Sequence, residues 1–467
     1  MLAPMDHGEP LPHPLLRAAY TALMYLLTPV ILWRLALRGL RYRDYFKRWP
    51  ERFGFFADPG IEESIWVHAV SVGEFNAAVP LIEAMMERWP NRPVVVTTVT
   101  PTGSERVRKQ FGERVLHVYL PYDLPGAIGR FLDRVRPRLA VIMETEIWPN
   151  LFFACHRRRI PVVLANGRLS ERSLRGYGPI RPLARAAVRT VRAVIAQSDS
   201  DARRFLDLGA DPERLTVAGN LKFDMDVPGT LPEQGRALRA RWGAQRPVWI
   251  AGSTHEPEEL PVLDAHARVL SRFPDALLII APRHPERFRP VAALCRSLGF
   301  STAVRSQDEV PEASSQCFVL DTIGELLRFY AASDVAFVGG SLAPVGGHNV
   351  LEAAALGVPV LIGPHTFNFS EVTESLVACG GARRVLEPNL GAAVSELLGD
   401  LHLRQRMGAS GQRAFERERG AVDRIMAAVE SILEDQSRCP SASGGTRINR
   451  PSPNALDRSR ARPPGAG

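Results

Sequence analysis

Ile65-Trp66-Val67-His68-Ala69-Val70-Ser71-Val72-Gly73-Glu74-Phe75 is the stretch whose reading decides the fold. An apolar strand ends in a turn of small residues, and a carboxylate stands at the mouth of the helix that follows. In an open α/β sheet, the crevice beyond the carboxyl end of the first strand is where ligands bind. Glu74 therefore has two readings. Ser71-x-x-Glu74 before an apolar-periodic run fits a capping box, in which serine and glutamate close orphan backbone N–H groups. A glutamate at that edge also suits a general base, although the helix dipole there favours its ionised form and lowers its basicity.

Outward from this point, apolar runs alternate with amphipathic ones. Candidate strands cover 64–70, 93–98, 115–119, 139–143, 161–165 and 193–196, with helical patterns at 75–88, 103–111 and 126–134. Continuous apolar strands separated by helices imply a parallel sheet covered on both faces. A segment with Pro228, Gly229 and Pro232, read as a linker over 225–234, separates this unit from a second series at 248–251, 276–280, 317–320, 335–338 and 358–362. Helical residues 392–434 are expected to close the second unit. The expected division is an anchor and basic flank over 1–49, α/β units over 50–227 and 228–435, and a disordered Ser/Pro/Gly/Arg-rich tail over 436–467.

Residues 18–33 carry no charge and are followed by Arg34, Arg38, Arg41, Arg43, Lys47 and Arg48. This run is expected to anchor the chain to a membrane, spanning or lying in the interface, with the basic side in the cytoplasm and against an anionic leaflet, a buried helix being the alternative reading. Of the 467 residues 45% are hydrophobic and 23% charged, as in ordinary globular proteins, and the formal charge of +8 comes mostly from arginine. Arginine's planar fork suits carboxylates and phosphates. Neither zinc-finger spacing nor a stacked-aromatic RNA signature accompanies the charge, so no nucleic acid partner is expected. The five cysteines are scattered without a C-x-x-C, which argues against a disulfide framework and a structural zinc site.

Polar clusters recur at strand ends. Glu144-Thr145-Glu146, Asn166-Gly167-Arg168 and Gln197-Ser198 share one edge of the first sheet with Glu74, and Lys222 in Asn220-Leu221-Lys222-Phe223-Asp224 is placed near the cleft between the units. In the second unit, Gly252-Ser253-Thr254-His255-Glu256 follows a strand as a candidate anion nest, and Arg283-His284 offers a phosphate-reading pair. Gly339-Gly340-Ser341 and Gly346-Gly347-His348-Asn349 follow another strand and are expected to open a helix, on which Glu352 lies one turn after His348. Each cluster is also compatible with a plain turn, and Lys222 with a solvated linker charge. The phosphate loop G-x-x-x-x-G-K-[ST] and a G-x-G-x-x-G after the first strand are both missing, as is a compact metal-ligand cluster.

The motifs Trp66–Glu74, Glu144-Thr145-Glu146-Ile147-Trp148-Pro149-Asn150, Asn166-Gly167-Arg168-Leu169-Ser170, Gly219–Asp224, Ala251-Gly252-Ser253-Thr254-His255-Glu256 and Gly346-Gly347-His348-Asn349 together resemble the 3-deoxy-D-manno-octulosonic acid (Kdo) transferases, in order, from about residue 20 to residue 430. The resemblance implies a GT-B glycosyltransferase, two Rossmann-like domains with the active site between them, moving Kdo from CMP-Kdo to the lipid A precursor at the cytoplasmic face of the inner membrane, with inversion and without a metal or other cofactor. It implies Glu74 as general base, Glu146 near the acceptor side, and the helix beginning at Gly346 with Glu352 as part of the CMP site. With the strand-end clusters added, the expected acceptor side is Glu146, Arg168 and Lys222, and the expected donor site is Ser253, Thr254, Arg283, His284, Gly346, Gly347, His348, Asn349 and Glu352. Val350 and Ala353 stand where the family often has proline. Another nucleotide sugar with a lipid acceptor, and a tethered binding protein without turnover, are the alternative expectations.

Overall fold

In the computed structural model, residues 13–41, 43–307 and 310–438 are described. The tail expected over 436–467 starts later than read, since 436–438 belong to the helix Ala421–Arg438, and 439–467 lie outside the described residues. Two seven-stranded sheets form the body, and every pairing in them is parallel. The first contains β1 (Ser64–His68), β2 (Val94–Thr98), β3 (Leu116–Tyr119), β4 (Pro137–Met143), β5 (Val162–Gly167), β6 (Ala193–Ala196) and β7 (Leu215–Val217), in the order β3-β2-β1-β4-β5-β6-β7. The second contains β8 (Val248–Thr254), β9 (Leu277–Pro282), β10 (Thr302–Val304), β11 (Cys317–Val319), β12 (Val335–Val338), β13 (Val360–Ile362) and β14 (Ala382–Arg384), in the order β10-β11-β9-β8-β12-β13-β14.

Why these residues form strands follows from burial on both faces. All five residues of β1 are buried, and so are those of β2. Trp66 packs with Phe131 and Leu164 on one face, while Ile65 and Val67 pack with Phe75, Leu81 and Val141 on the other. All strands point the same way, but the direction in which successive strands are added reverses between β1 and β4 in the first sheet and between β8 and β12 in the second. These switch points open the crevices into which loops from the carboxyl ends project.

Three strands escape the sequence pattern: β7, β10 and β14. Each is three residues long and lies at a sheet edge. An edge needs burial against fewer neighbours and tolerates polar residues, so Arg383 and Arg384 sit in β14 without an apolar run to announce it. The linker read over 225–234 is shorter than expected, because a helix begins at Leu231.

The last helix corrects the division into units. The expectation that 392–434 closes the second unit holds for the helices Leu390–Gly399 and Leu401–Glu418, whose residues Val394, Leu397 and Met407 join Trp249 and Phe337 in that core. The helix Ala421–Arg438 instead crosses back, and Ile425, Val429, Ile432 and Leu433 pack beside Phe75, Leu81 and Val141 of the first unit. Its first turn is held by Asp224, whose carboxylate accepts the N–H groups of Gly420 (2.6 Å) and Val422 (2.6 Å). A carboxylate at a helix N-terminus satisfies orphan donors and meets the positive end of the dipole.

At the other end of the chain, the helix Pro14–Arg41 has Leu16 and Tyr20 against the first core. Ile425→Ala is expected to destabilise the first unit by about 2–5 kcal/mol through lost transfer energy and the cavity left behind, and Ile425→Val by about 1 kcal/mol. Denaturant unfolding of the two variants checks the order. A loss confined to the second unit would contradict this packing.

Candidate active site

The helix Val72–Arg88 starts at Ser71, whose hydroxyl accepts the N–H of Glu74 (3.3 Å) and donates to Glu74 Oε1 (3.0 Å). Glu74 Oε2 accepts the N–H of Val70 (2.9 Å), one residue earlier than a capping box requires. The turn is therefore capped, and the carboxylate is held in place by it. Burial raises the Glu74 pKa above the usual carboxylate range, overcoming the lowering by these hydrogen bonds, and the charge of Glu146 adds to the rise. Glu74 is thus more basic than the dipole alone suggests.

Glu144, read from the sequence only as part of a polar strand-end cluster, joins the site itself. It leaves β4 in the left-handed region (φ 55°), and burial pushes its pKa up to about 7, with Glu74 adding repulsion and Lys222 and Arg168 opposing it. A bulky residue with positive φ is uncommon and clusters at functional sites, but backbone conformation is invisible in a Glu-Thr-Glu string. Glu146 is also raised by burial, against a hydrogen bond from the Trp148 indole (3.0 Å). Three carboxylates thus meet at one edge, with Lys222 and Arg168 as the cations nearest Glu144. Burial lowers the Lys222 pKa, and Glu144 raises it.

The neighbouring polar clusters act as a scaffold for Lys222. Asn166, also left-handed (φ 53°), accepts the Leu221 N–H (3.0 Å). Gln197 donates to the Asn166 carbonyl (3.0 Å) and accepts from the Asn220 amide (2.9 Å), and Asn220 in turn accepts the Lys222 N–H (3.0 Å). Both cations reach the second unit. Arg168 Nε contacts Glu371 Oε1 at 2.6 Å, and Lys222 Nζ lies 5.1 Å from the Phe369 ring centre. The Arg168–Glu371 side chains are 37% and 49% exposed, so the pair contributes at most about 1 kcal/mol and matters for geometry.

On the facing wall, Glu258 is fully buried and accepts N–H groups from His255 (3.1 Å), Gly340 (2.6 Å), Ser341 (2.8 Å), Leu342 (2.7 Å) and Ala343 (3.2 Å). In the Gly339-Gly340-Ser341 turn, read as open to a phosphate, the Gly340 and Ser341 amides are therefore occupied by the chain's own carboxylate, and the Gly339 N–H donates to the Gly252 carbonyl. The helix expected from Gly346 begins only at Leu351. Gly346 (φ 109°) and Gly347 (φ 74°) instead fold a turn in which both N–H groups donate to the Gly340 carbonyl. A Cβ on Gly346 would stand 2.5 Å from the Phe367 ring and the Asn368 amide, so glycine is required by contact as well as by φ.

His348 and His255 meet at 2.9 Å between their Nε2 atoms, and the His284 ring stands 5.1 Å edge-on from His255. Burial, then His255 and Arg283, hold His348 down at about 4, so it is neutral near pH 7. Asn349 accepts the Leu351 N–H (3.1 Å) and donates to Glu352 Oε1 (3.3 Å). Burial pushes Glu352 up to about 7, opposed by Asn349 and Arg283. Ser253 is left-handed (φ 58°), and Thr254 is buried with its hydroxyl unpaired at the end of β8. Arg283 and His284 are exposed at the end of β9. His255 joins this group although only its neighbours were singled out from the sequence. Among the described residues, no group of three or more His, Cys, Asp or Glu is arranged to hold a metal ion.

Residues 47–225 match the family model described as 3-Deoxy-D-manno-octulosonic-acid transferase (kdotransferase). A 3-deoxy-D-manno-octulosonic acid transferase of Haemophilus influenzae is 40% identical over 90% of this chain and 99% of its own length. The chain belongs to the 3-deoxy-D-manno-octulosonic acid transferase family. The enzyme of that name from Bordetella pertussis is 37% identical over 89% of this chain and 99% of its own. Among solved structures, a UDP-GlcNAc 2-epimerase from Neisseria meningitidis covers 79% of this chain and 100% of its own with a TM-score of 0.50 and 15% identity, a likeness of fold alone. The chain is thus a glycosyltransferase with two Rossmann-like units in the GT-B arrangement.

In this Kdo transferase family member, loss of activity toward acid is expected to begin above the ordinary carboxylate range. A base with a raised pKa is protonated earlier as pH falls. Glu146→Gln removes a like charge beside Glu74, lowers its pKa and moves that acidic limb to lower pH. The pH profile of kcat checks the sign, and a limb displaced to higher pH would contradict it.

Proposed function

We propose that this chain transfers Kdo from CMP-Kdo to the lipid A precursor at the cytoplasmic face of the inner membrane, inverting the anomeric carbon. The observation that carries the reading is Glu74, a carboxylate made more basic by burial and fixed by Ser71 and Val70 at the carboxyl end of β1. Glu74 takes the proton of the acceptor hydroxyl as its oxygen bonds to the anomeric carbon. The bond from that carbon to the CMP phosphate oxygen breaks, and its electron pair leaves with CMP. General base action of this kind contributes about 10²–10⁴-fold.

The remaining residues take complementary parts. Arg283 is the cation available to the departing phosphate, because His348 is neutral near pH 7 and serves as a hydrogen-bonding group. Glu352, with a pKa of about 7, suits ribose hydroxyls as acceptor or donor. Thr254 brings an unpaired hydroxyl to the same wall. Lys222, Arg168, Glu144 and Glu146 face the acceptor. The arginine charge meets the departing phosphate, so the proposed reaction uses no metal or other cofactor. Nucleic acid has no part in it, and the basic N-terminal flank suits an anionic leaflet.

Purified full-length protein is expected to release CMP from CMP-Kdo when the lipid A precursor is present, at a rate unchanged by exhaustive metal chelation. Glu74→Gln is expected to lower kcat about 10²–10⁴-fold with KM for CMP-Kdo retained. Ser71→Ala is expected to cost about 1 kcal/mol of stability, as lost helix caps do. No CMP release from the wild type, or full turnover by Glu74→Gln, would sink the assignment. Consumption of a UDP-sugar in place of CMP-Kdo would move it to another donor.

A further inference from the structure

We propose that the N-terminal helix Pro14–Arg41 lies in the plane of the membrane, on the anionic leaflet that faces the two α/β units, and does not cross the bilayer. The inference deepens the membrane part of the proposed function and rests on it. By length and composition the helix qualifies as a span, with an 18-residue stretch of mean hydropathy 1.6 inside Pro14–Leu40. At 1.5 Å per residue its 28 residues reach about 42 Å, more than the roughly 30 Å hydrocarbon layer. Length alone leaves the topology open. The tethers at its two ends decide it.

At the start of the helix, the Tyr20 hydroxyl donates to Asp123 Oδ2 (2.9 Å), and the Thr21 hydroxyl donates to Asn150 Oδ1 (3.1 Å). The Arg17 guanidinium lies 4.6 Å from the Phe153 ring centre. Asp123 is 2% exposed and also accepts the N–H groups of Asn150 (3.1 Å) and Leu151 (2.9 Å), so this latch reaches into the interior of the first unit. Shortly beyond the end of the helix, Arg48 donates to the His117 carbonyl (2.6 Å) and to Ser104 Oγ (3.0 Å), and Arg52 donates to the Val99 carbonyl (2.8 Å). Both ends are thus tied to the first α/β unit. A spanning helix needs its ends on opposite sides of the bilayer, and this one is held on one side.

The surface it presents fits that placement. Leu23, Leu26, Val30, Trp33, Leu37 and Leu40 are exposed at spacings of three and four, which aligns them on one face. Leu26, Trp33 and Leu40 are 73%, 63% and 76% exposed. The other side turns toward the protein: Leu35 is buried, and a Cβ on Gly39 would stand 2.6 Å from the Phe46 ring. Exposed Arg34 and Arg38 border the apolar stripe, and the helix carries no acidic residue. Apolar stripe, interfacial tryptophan and basic border are the pattern of a helix that rests in an anionic headgroup layer. A second copy packed across the same stripe would bring these arginines together. The Asp123–Asn150 latch also opens the helix Pro149–Arg157, and Trp148 just before it holds Glu146. Hydrogen bonds thereby connect the leaflet-bound helix to the acceptor wall.

The test is the sidedness of single cysteines in the full-length protein, with Cys379 and Cys439 replaced by alanine and Leu15→Cys or Arg43→Cys added. A membrane-impermeant maleimide is expected to label both cysteines in inverted inner-membrane vesicles and neither in spheroplasts. Labelling of Leu15→Cys in spheroplasts alone, with Arg43→Cys labelled only in inverted vesicles, would show a crossing helix and overturn the inference while leaving the membrane reading intact. Recovery of the protein in the soluble fraction would overturn the membrane reading itself. In parallel, Leu26→Glu with Trp33→Glu is expected to weaken binding to phosphatidylglycerol vesicles about tenfold or more. Undiminished vesicle binding, or disulfide pairing of Leu26→Cys between copies without lipid, would also overturn the inference.

Discussion

Three carboxylates, Glu74, Glu144 and Glu146, share one half-buried sheet edge, and their mutual repulsion constrains the structure around them. Like charges in a low-dielectric site cannot all ionise without nearby cations. Lys222 and Arg168 fill that need at Glu144, and their placement explains features that would otherwise look unrelated. Asn166 takes a left-handed conformation whose side chain catches the Leu221 N–H. Gln197 and Asn220 relay that grip to Lys222. Arg168 then reaches across to Glu371 of the second unit, so the charges of one wall also make a contact across the cleft.

The donor wall solves a related problem in the opposite way. Glu258 is fully buried with no ion pair among the described residues, and five backbone N–H groups donate to its carboxylate. Several oriented amides can stabilise a buried carboxylate as a salt bridge would. The turn after β12 is thus shaped before any ligand arrives, and the cost of ordering it is met during folding.

Much of this was legible in the chain. Runs such as Ile65–Val67 and Val335–Val338 are buried on both faces and announce themselves by composition, so the central strands and their order of alternation with helices follow directly. Glu74 is legible because it sits immediately after such a run. What the sequence hides is whatever depends on a distant partner or on a backbone angle. Glycines read as a phosphate nest cannot reveal that Glu258, some eighty residues earlier, already fills it. Glu144 differs from Glu146 by its positive φ and its neighbours, neither of which is written in Glu-Thr-Glu. The helix Ala421–Arg438 has an ordinary amphipathic pattern that names no partner, and contiguity suggested the wrong one.

That returning helix has a consequence for how the molecule comes into being. Because Ile425, Val429 and Ile432 complete the core around Phe75 and Leu81, the second unit is, in connectivity, an insertion within the first. On a ribosome, residues 231–418 emerge together and can close their own core. The first unit, although synthesised earlier, waits with an open apolar face until the last helix leaves the exit tunnel. Such long-range closure is slow and leaves apolar surface uncovered meanwhile. The order of maturation therefore inverts the order of synthesis: the donor half is finished first, and the half that bears Glu74 becomes whole only once the returning helix has emerged.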